Sequence, residues 1–139
     1  MPVSFQILPH RQLILFIYSG KVTFQESSEI VGQSARHPAF SPWLRHLCDL
    51  SRVTGVERDY LKLLKMHAKI AEDLRPSGHD LLVLFYAPNR AGQSMAEMAR
   101  RSWQGQSGAI VMIHDREAEA LAMFGLRETS MDELLQSAE

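Results

Sequence analysis

A single cysteine, Cys48, stands in a chain of 139 residues. One thiol closes no internal disulfide and anchors no cysteine-rich metal site. It lies in an apolar run, where a free cysteine behaves as a small hydrophobe. An excess of either charge is also lacking: 15 Lys and Arg face 16 Asp and Glu, for a formal net charge of −1. That balance supplies no long-range pull toward nucleic acid or an anionic membrane. The pair Arg100-Arg101 reads as a solvated helix face. Long hydrophobic runs are missing as well. Leu13–Tyr18 and Leu81–Ala87 are the longest, far short of the roughly 20 residues that cross a bilayer. The first ten residues lack the basic start and apolar core of a signal peptide. The expectation is a cytoplasmic protein, with no nucleic-acid partner and no membrane insertion.

What is present is the composition of a globular domain, 45% hydrophobic and 22% charged. No repeat, low-complexity tract or long linker divides it, so residues 1–139 read as one domain with a core at about 4–125. Two strand-like pieces, Ser4–Leu8 and Leu13–Ser19, flank the turn-forming Pro9-His10-Arg11 and predict an antiparallel hairpin. Ser19-Gly20 then closes the second strand.

Thr23 and Glu26 form the T-x-x-E of a capping box. Phe24, Ser27, Val31, Ser34 and Ala35 share one helical face, and Pro38 stops that helix. A loop over 39–44 holds Pro42 and Trp43, and a third strand follows at Arg45–Leu50. Tyr60, Leu63, Leu64, His67, Ile70, Ala71 and Leu74 make the stripe of a second helix opening near Glu57 or Arg58. Lys62, Lys65 and Lys69 lie on its other side, and Arg75-Pro76-Ser77-Gly78 ends it. Asp80–Ala87 is apolar enough for the centre of a parallel sheet.

Asn89 caps a third helix, Arg90–Gln104, with Ala91, Met95, Met98 and Ala99 inward. Gly105–Gly108 breaks it, and Ala109–His114 is the fifth strand. Asp115 reads as the cap of a fourth helix stopped by Gly125, and Ser130-x-x-Glu133 opens a short helix at 131–137. Alternating strands and helices of this length require crossovers. The predicted fold is α/β: a mixed, mostly parallel five-stranded sheet with an antiparallel first strand and about four helices.

Chemistry is harder to assemble. There is no G-x-S-x-G elbow, and Cys48 with His46 is the one nucleophile-base pair that spacing suggests. Six histidines form neither H-x-x-x-H nor H-E-x-x-H on a helix. His114-Asp115-x-Glu117 packs three possible ligands into a strand-to-helix turn, where acids also complement a helix N-terminus. The segment Pro88–Ser94 sits where an α/β sheet binds phosphates, but lacks the P-loop lysine and the glycine spacing of a dinucleotide fold. No metal and no cofactor is expected.

Residues 47–64, LCDLSRVTGVERDYLKLL, carry the most information. Asp49-Leu50-Ser51-Arg52-Val53-Thr54 resembles the switch segment of STAS domains, the family of sulphate transporters and anti-sigma-factor antagonists. There a strand ending D-L-S-x-V-T leads through D-S-S-G into a helix. The chain is similar to the SpoIIAA-like group of small single-domain bacterial proteins, which implies a mixed sheet with helices packed on it. In those antagonists a serine at the start of the second helix is phosphorylated by the partner kinase. That position falls on Asp59 here, with Glu57 and Arg58 before it and Tyr60 in place of glycine. Aspartate supplies a fixed charge and a cap at a helix N-terminus, so the serine switch is not expected.

The resemblance implies a non-enzymatic regulatory or protein-interaction module. Asp49, Ser51, Thr54, Asp59 and Tyr60 are its candidate partner-binding or regulatory residues. The partner is an unnamed protein, or a second copy in a homodimer. The alternative is a carrier of a small apolar ligand or lipid. An exposed Tyr60–Trp43 surface would favour the first reading, and an apolar cavity between the first helix and the sheet the second.

Overall fold

A computed structural model of the chain describes residues 3–74 and 79–137. The antiparallel hairpin forms as the sequence predicts. β1 (Val3–Leu8) pairs with β2 (Leu13–Val22), from Val3 opposite Tyr18 to Leu8 opposite Leu13. Pro9–Arg11 makes one 3₁₀ turn between them, where proline has no ladder bond to lose.

β3 (Arg45–Val56), β4 (Leu81–Tyr86) and β5 (Ala109–His114) run parallel to β2, and the spatial order of the five strands is their chain order. The crossovers are α1 (Phe24–Ala35), α2 (Tyr60–Leu74) and α3 (Arg90–Gln104). Right-handed crossovers taken always in one direction place all three helices on one face. Their Phe24, Ile30, Leu63, Ala96 and Ala99 share a core with Ile14, Phe16, Cys48, Val83 and Phe85 of the sheet. The other face, Leu13, Leu15, Leu47 and Leu84, is covered by α4 (Glu117–Met123) and α5 (Met131–Gln136). The α-helices among the described residues are thus the four that the sequence indicates and the short terminal one opened by Ser130.

The third helix and fifth strand have their expected bounds. Two strands run longer. β2 continues past Ser19 to Val22, with Gly20 at φ 68° beside a register shift. That left-handed backbone suits glycine. β3 continues past Leu50 to Val56, although Ser51, Arg52, Thr54 and Gly55 look like turn residues. Pairing with β2 overrides local preference there: Ser19 lies opposite Arg52, and Val22 opposite Val56. The two register shifts each place one extra residue on β3, as bulges do. Because β3 meets β4 only from His46 to Asp49, residues 50–56 and their β2 partners form a two-stranded ribbon standing beyond the rest of the sheet.

Smaller corrections have local causes. The centre of the α3 face is Gly92, Ala96, Ala99 and Trp103, while Met95 and Met98 are half-buried. Ile30, not Val31, is the buried residue of the middle of α1. The cap of α4 is Arg116 rather than Asp115, and the Arg116 amide donates to His114 Nδ1 at 3.0 Å. Segment 75–78, the predicted stop of α2, lies outside the described residues.

Candidate functional site

The five residues singled out in the sequence fall along β3 and the start of α2. Asp49 is buried, and its Oδ1 accepts the Ser51 amide at 2.9 Å. Ser51 is half-buried, and its carbonyl accepts from Asn89 Nδ2 at 2.9 Å. Asn89 also caps α3, its Oδ1 accepting the Gly92 amide at 2.8 Å. The helix approaches so closely that a Cβ on Gly92 would stand 2.9 Å from the Leu50 carbonyl oxygen. Asp49 and Ser51 thus belong to the weld between β3 and α3. Thr54 is exposed on the ribbon, apart from both.

Asp59 and Tyr60 come together at the start of α2. Asp59 is exposed and caps the helix: its Oδ1 accepts the Lys62 amide at 3.1 Å, and its carbonyl accepts the Leu63 amide at 3.1 Å. The helix therefore opens at Tyr60, not at Glu57 or Arg58. Tyr60 is half-buried against the main core, while the next residue, Leu61, is 61% exposed. Trp43 is also exposed, at 60%, with its ring 4.3 Å from that of His79. It precedes β3, whereas Tyr60 follows it. A twelve-residue strand separates the two, so they do not form one surface.

Sequence reasoning missed Glu57. It lies in the link from β3 to α2, yet its Oε1 accepts the Phe24 amide at 2.8 Å, an otherwise unpaired donor of the first turn of α1. Its own amide donates to the Val22 carbonyl at 2.9 Å, and Lys62 Nζ lies 3.3 Å from Oε2. One residue thereby joins α1 and α2 through its carboxylate and β2 through its amide. The Thr23–Glu26 box is correspondingly half-formed. Thr23 Oγ1 accepts the Glu26 amide at 3.2 Å, but the Glu26 carboxylate accepts from the Thr23 hydroxyl instead of reaching the cap amide. A contact spanning 33 residues leaves no local signature.

Burial opposes the suggested Cys48–His46 pair. It pushes the Cys48 thiol well up, with the Asp49 charge adding to the effect, and pushes His46 down to about 4. A thiolate-imidazolium pair needs both shifts reversed. The C-terminal ends of the strands are acidic. Burial, then the charges of Glu117, Asp49 and Asp115, raise the Tyr86 hydroxyl, and such a rim disfavours anions. A sheet whose strand order never reverses also lacks the switch-point crevice where doubly wound folds hold nucleotides. Glu117 accepts the Met131 amide at 2.7 Å, and His114 Nε2 lies 3.0 Å from a Glu119 oxygen. No three His, Cys, Asp or Glu side chains among the described residues are placed to hold a metal.

Between the sheet and α1–α2 lies a cavity of about 60 Å³, lined by aromatic rings and by His46 and His67. His67, on the apolar stripe of α2, is buried. Its Nδ1 is 2.7 Å from Ser102 Oγ, and its ring stacks on Trp103 at 4.5 Å. Burial lowers His67 to about 4 as well. The Tyr18 hydroxyl, raised by burial, meets Ser27 Oγ at 3.2 Å on the same wall.

No helix among the described residues is long and apolar enough to cross a membrane. No family model matches the sequence, and no curated protein does. Among solved structures, the chain is similar to an uncharacterised protein of the DUF3478 family with a SpoIIAA-like fold from Shewanella loihica PV-4. The two share 13% identity over 88% of this chain and 91% of that one, with a TM-score of 0.53. Together with the mixed five-stranded sheet and its helices, that likeness gives this chain a SpoIIAA-like fold.

Proposed function

We propose that this chain is a non-enzymatic regulatory module that binds a protein partner through the junction of β3 and α2. The observation that carries this reading is the exposed Leu61 in the first turn of α2, beside the fixed charge of Asp59 and the half-buried Tyr60. An apolar anchor bordered by a polar rim is the usual composition of a small recognition patch. Glu57 and Asp59 hold the junction in place, so little ordering cost falls on binding. The ribbon carries it clear of β4. A partner offering an apolar pocket with a basic neighbour suits this patch.

Because Asp59 is permanently charged, the module works without a serine switch. A photo-cross-linking residue at position 61 should capture a discrete protein that the same residue at position 110 does not, and Asp59→Lys should abolish that capture. Equal capture from both positions would sink the proposal. Mass spectrometry after incubation with ATP and a serine kinase should find no phosphate at position 59. A phosphate on Ser51 or Thr54 would restore a switch to this segment.

The carrier reading narrows in scope. A cavity of about 60 Å³ is far below the roughly 300–1,000 Å³ of sites for drug-sized ligands, so an intact lipid is not supported. Self-association is the remaining proposal. Among the described residues β5 pairs only with β4, so its outer edge has no strand beside it. Neither a charge nor a proline interrupts Ala109–Ile113, and Ile110 is 50% exposed.

A further inference from the structure

We propose that the space between the sheet and the α1–α2 pair binds a small uncharged ring compound carrying a hydrogen-bonding group, which His46 recognises. The site lies beneath the helices and does not depend on the partner-docking reading.

Its dimensions limit any ligand to a single small ring. Tyr18, Ser27, Met66, His67 and Phe85 line both the cavity of about 60 Å³ and a neighbouring one of about 50 Å³. Together they come to about 110 Å³ at most, below the roughly 150 Å³ cavity that admits benzene, so a ring enters only as the shared side chains yield. The inner cavity also adjoins the surface of the helix pair. Val31 and Ile70 line the inner cavity and also an outer groove of about 180 Å³ between α1 and α2.

Its chemistry selects the ligand. His46 is only 7% exposed, and its ring lies 5.6 Å from that of Phe16. Neither ring nitrogen of His46 has a hydrogen-bond partner among the described residues. No fully enclosed polar side-chain atom among those residues is left unpaired, so these nitrogens keep some accessible surface, and His46 is a lining residue of the cavity. Elsewhere on the wall, His67 Nδ1 is taken up by Ser102 and the Tyr18 hydroxyl by Ser27. A neutral imidazole offers one donor and one acceptor, the complement of a hydroxyl group. Burial keeps both histidines uncharged at neutral pH. A charged ligand would therefore lose its hydration without meeting a counter-charge. Phe16, Phe85 and Trp103 supply flat apolar walls for a ring.

Phenol, benzene and benzoate separate these requirements. Each is titrated into the intact chain at pH 7.5 while the His46 ring nitrogens are followed by NMR. Phenol should shift them saturably and bind about fivefold more tightly than benzene, the worth of one net hydrogen bond. Benzoate should not saturate. His46→Phe should bring phenol and benzene to equal affinity, with the His67 ring signals reporting that the fold persists. If that variant does not fold, the wild-type comparison decides alone. Equal affinities for phenol and benzene in the wild type, phenol shifts confined to residues away from His46, or no saturable binding would each overturn the proposal.

Discussion

The Glu57 carboxylate accepts the Phe24 amide at 2.8 Å, so the residue that leads into α2 caps the helix that precedes β3. Glu57→Ala leaves that donor unpaired and removes the partner of Lys62. Losing a helix cap costs about 1–2 kcal/mol. Urea unfolding should show that loss, with a smaller one for Glu57→Gln, which keeps the acceptor. Equal stabilities for wild type and Ala would mean that the bond contributes nothing.

Gly92 and Gly32 both lie in helices but face different surroundings. A Cβ at Gly32 comes no nearer than 3.5 Å to the end of the Arg36 side chain, whereas at Gly92 it meets the Leu50 carbonyl oxygen at 2.9 Å. Gly32→Ala should stabilise by about 0.5–1 kcal/mol, the ordinary helical gain. Gly92→Ala should destabilise despite the same propensity, because backbone must move. Thermal melts of the two variants should shift in opposite directions.

Stability should fall on mild acidification. His46 and His67 sit near 4 in the fold against an ordinary 6.5, both lowered by burial. The unfolded chain therefore binds more protons between those values. Their contribution is complete above about pH 6.5, declines toward pH 4, and is flat below. Each shift is worth roughly 3 kcal/mol across that window. The Glu128 carboxyl, held below its usual range chiefly by its hydrogen bond from Arg11, loses its effect only at lower pH. Replacing both histidines with phenylalanine should flatten the profile between pH 4 and 6.5, as read by denaturant midpoints across pH.

Sedimentation at rising concentration tests the outer edge of β5. The wild type should associate, and Ile110→Lys should remain monomeric with an unchanged melting temperature, because that side chain is half exposed. A wild type that stays monomeric at every concentration would remove the edge from consideration.

Legibility in the sequence followed the range of the signal. Arg90–Gln104 and Ala109–His114 were readable to the residue because Asn89 and Gly105–Gly108 mark them locally. The family-like segment 49–54 located the right strand. Its turn-rich composition nevertheless hid six more strand residues, four of them paired with β2, since only a distant partner makes Ser51 to Val56 extended. The Glu57–Phe24 cap and the His67–Ser102 contact span 33 and 35 residues. Neither leaves a periodicity to detect. The cavity depends on how three helices sit over the sheet, which no pattern along one helix specifies.

The sequential strand order bears on how the chain comes together. Each strand docks beside the one made just before it, so the sheet can grow outward in the order of synthesis without opening a gap for a late arrival. The face bearing Leu13, Leu15, Leu47 and Leu84 gains no such early cover. Its shielding comes from Leu121, Phe124, Met131 and Leu134, close to the end of the chain. Until those residues leave the ribosome, a greasy plane is open to chaperones and to other nascent chains.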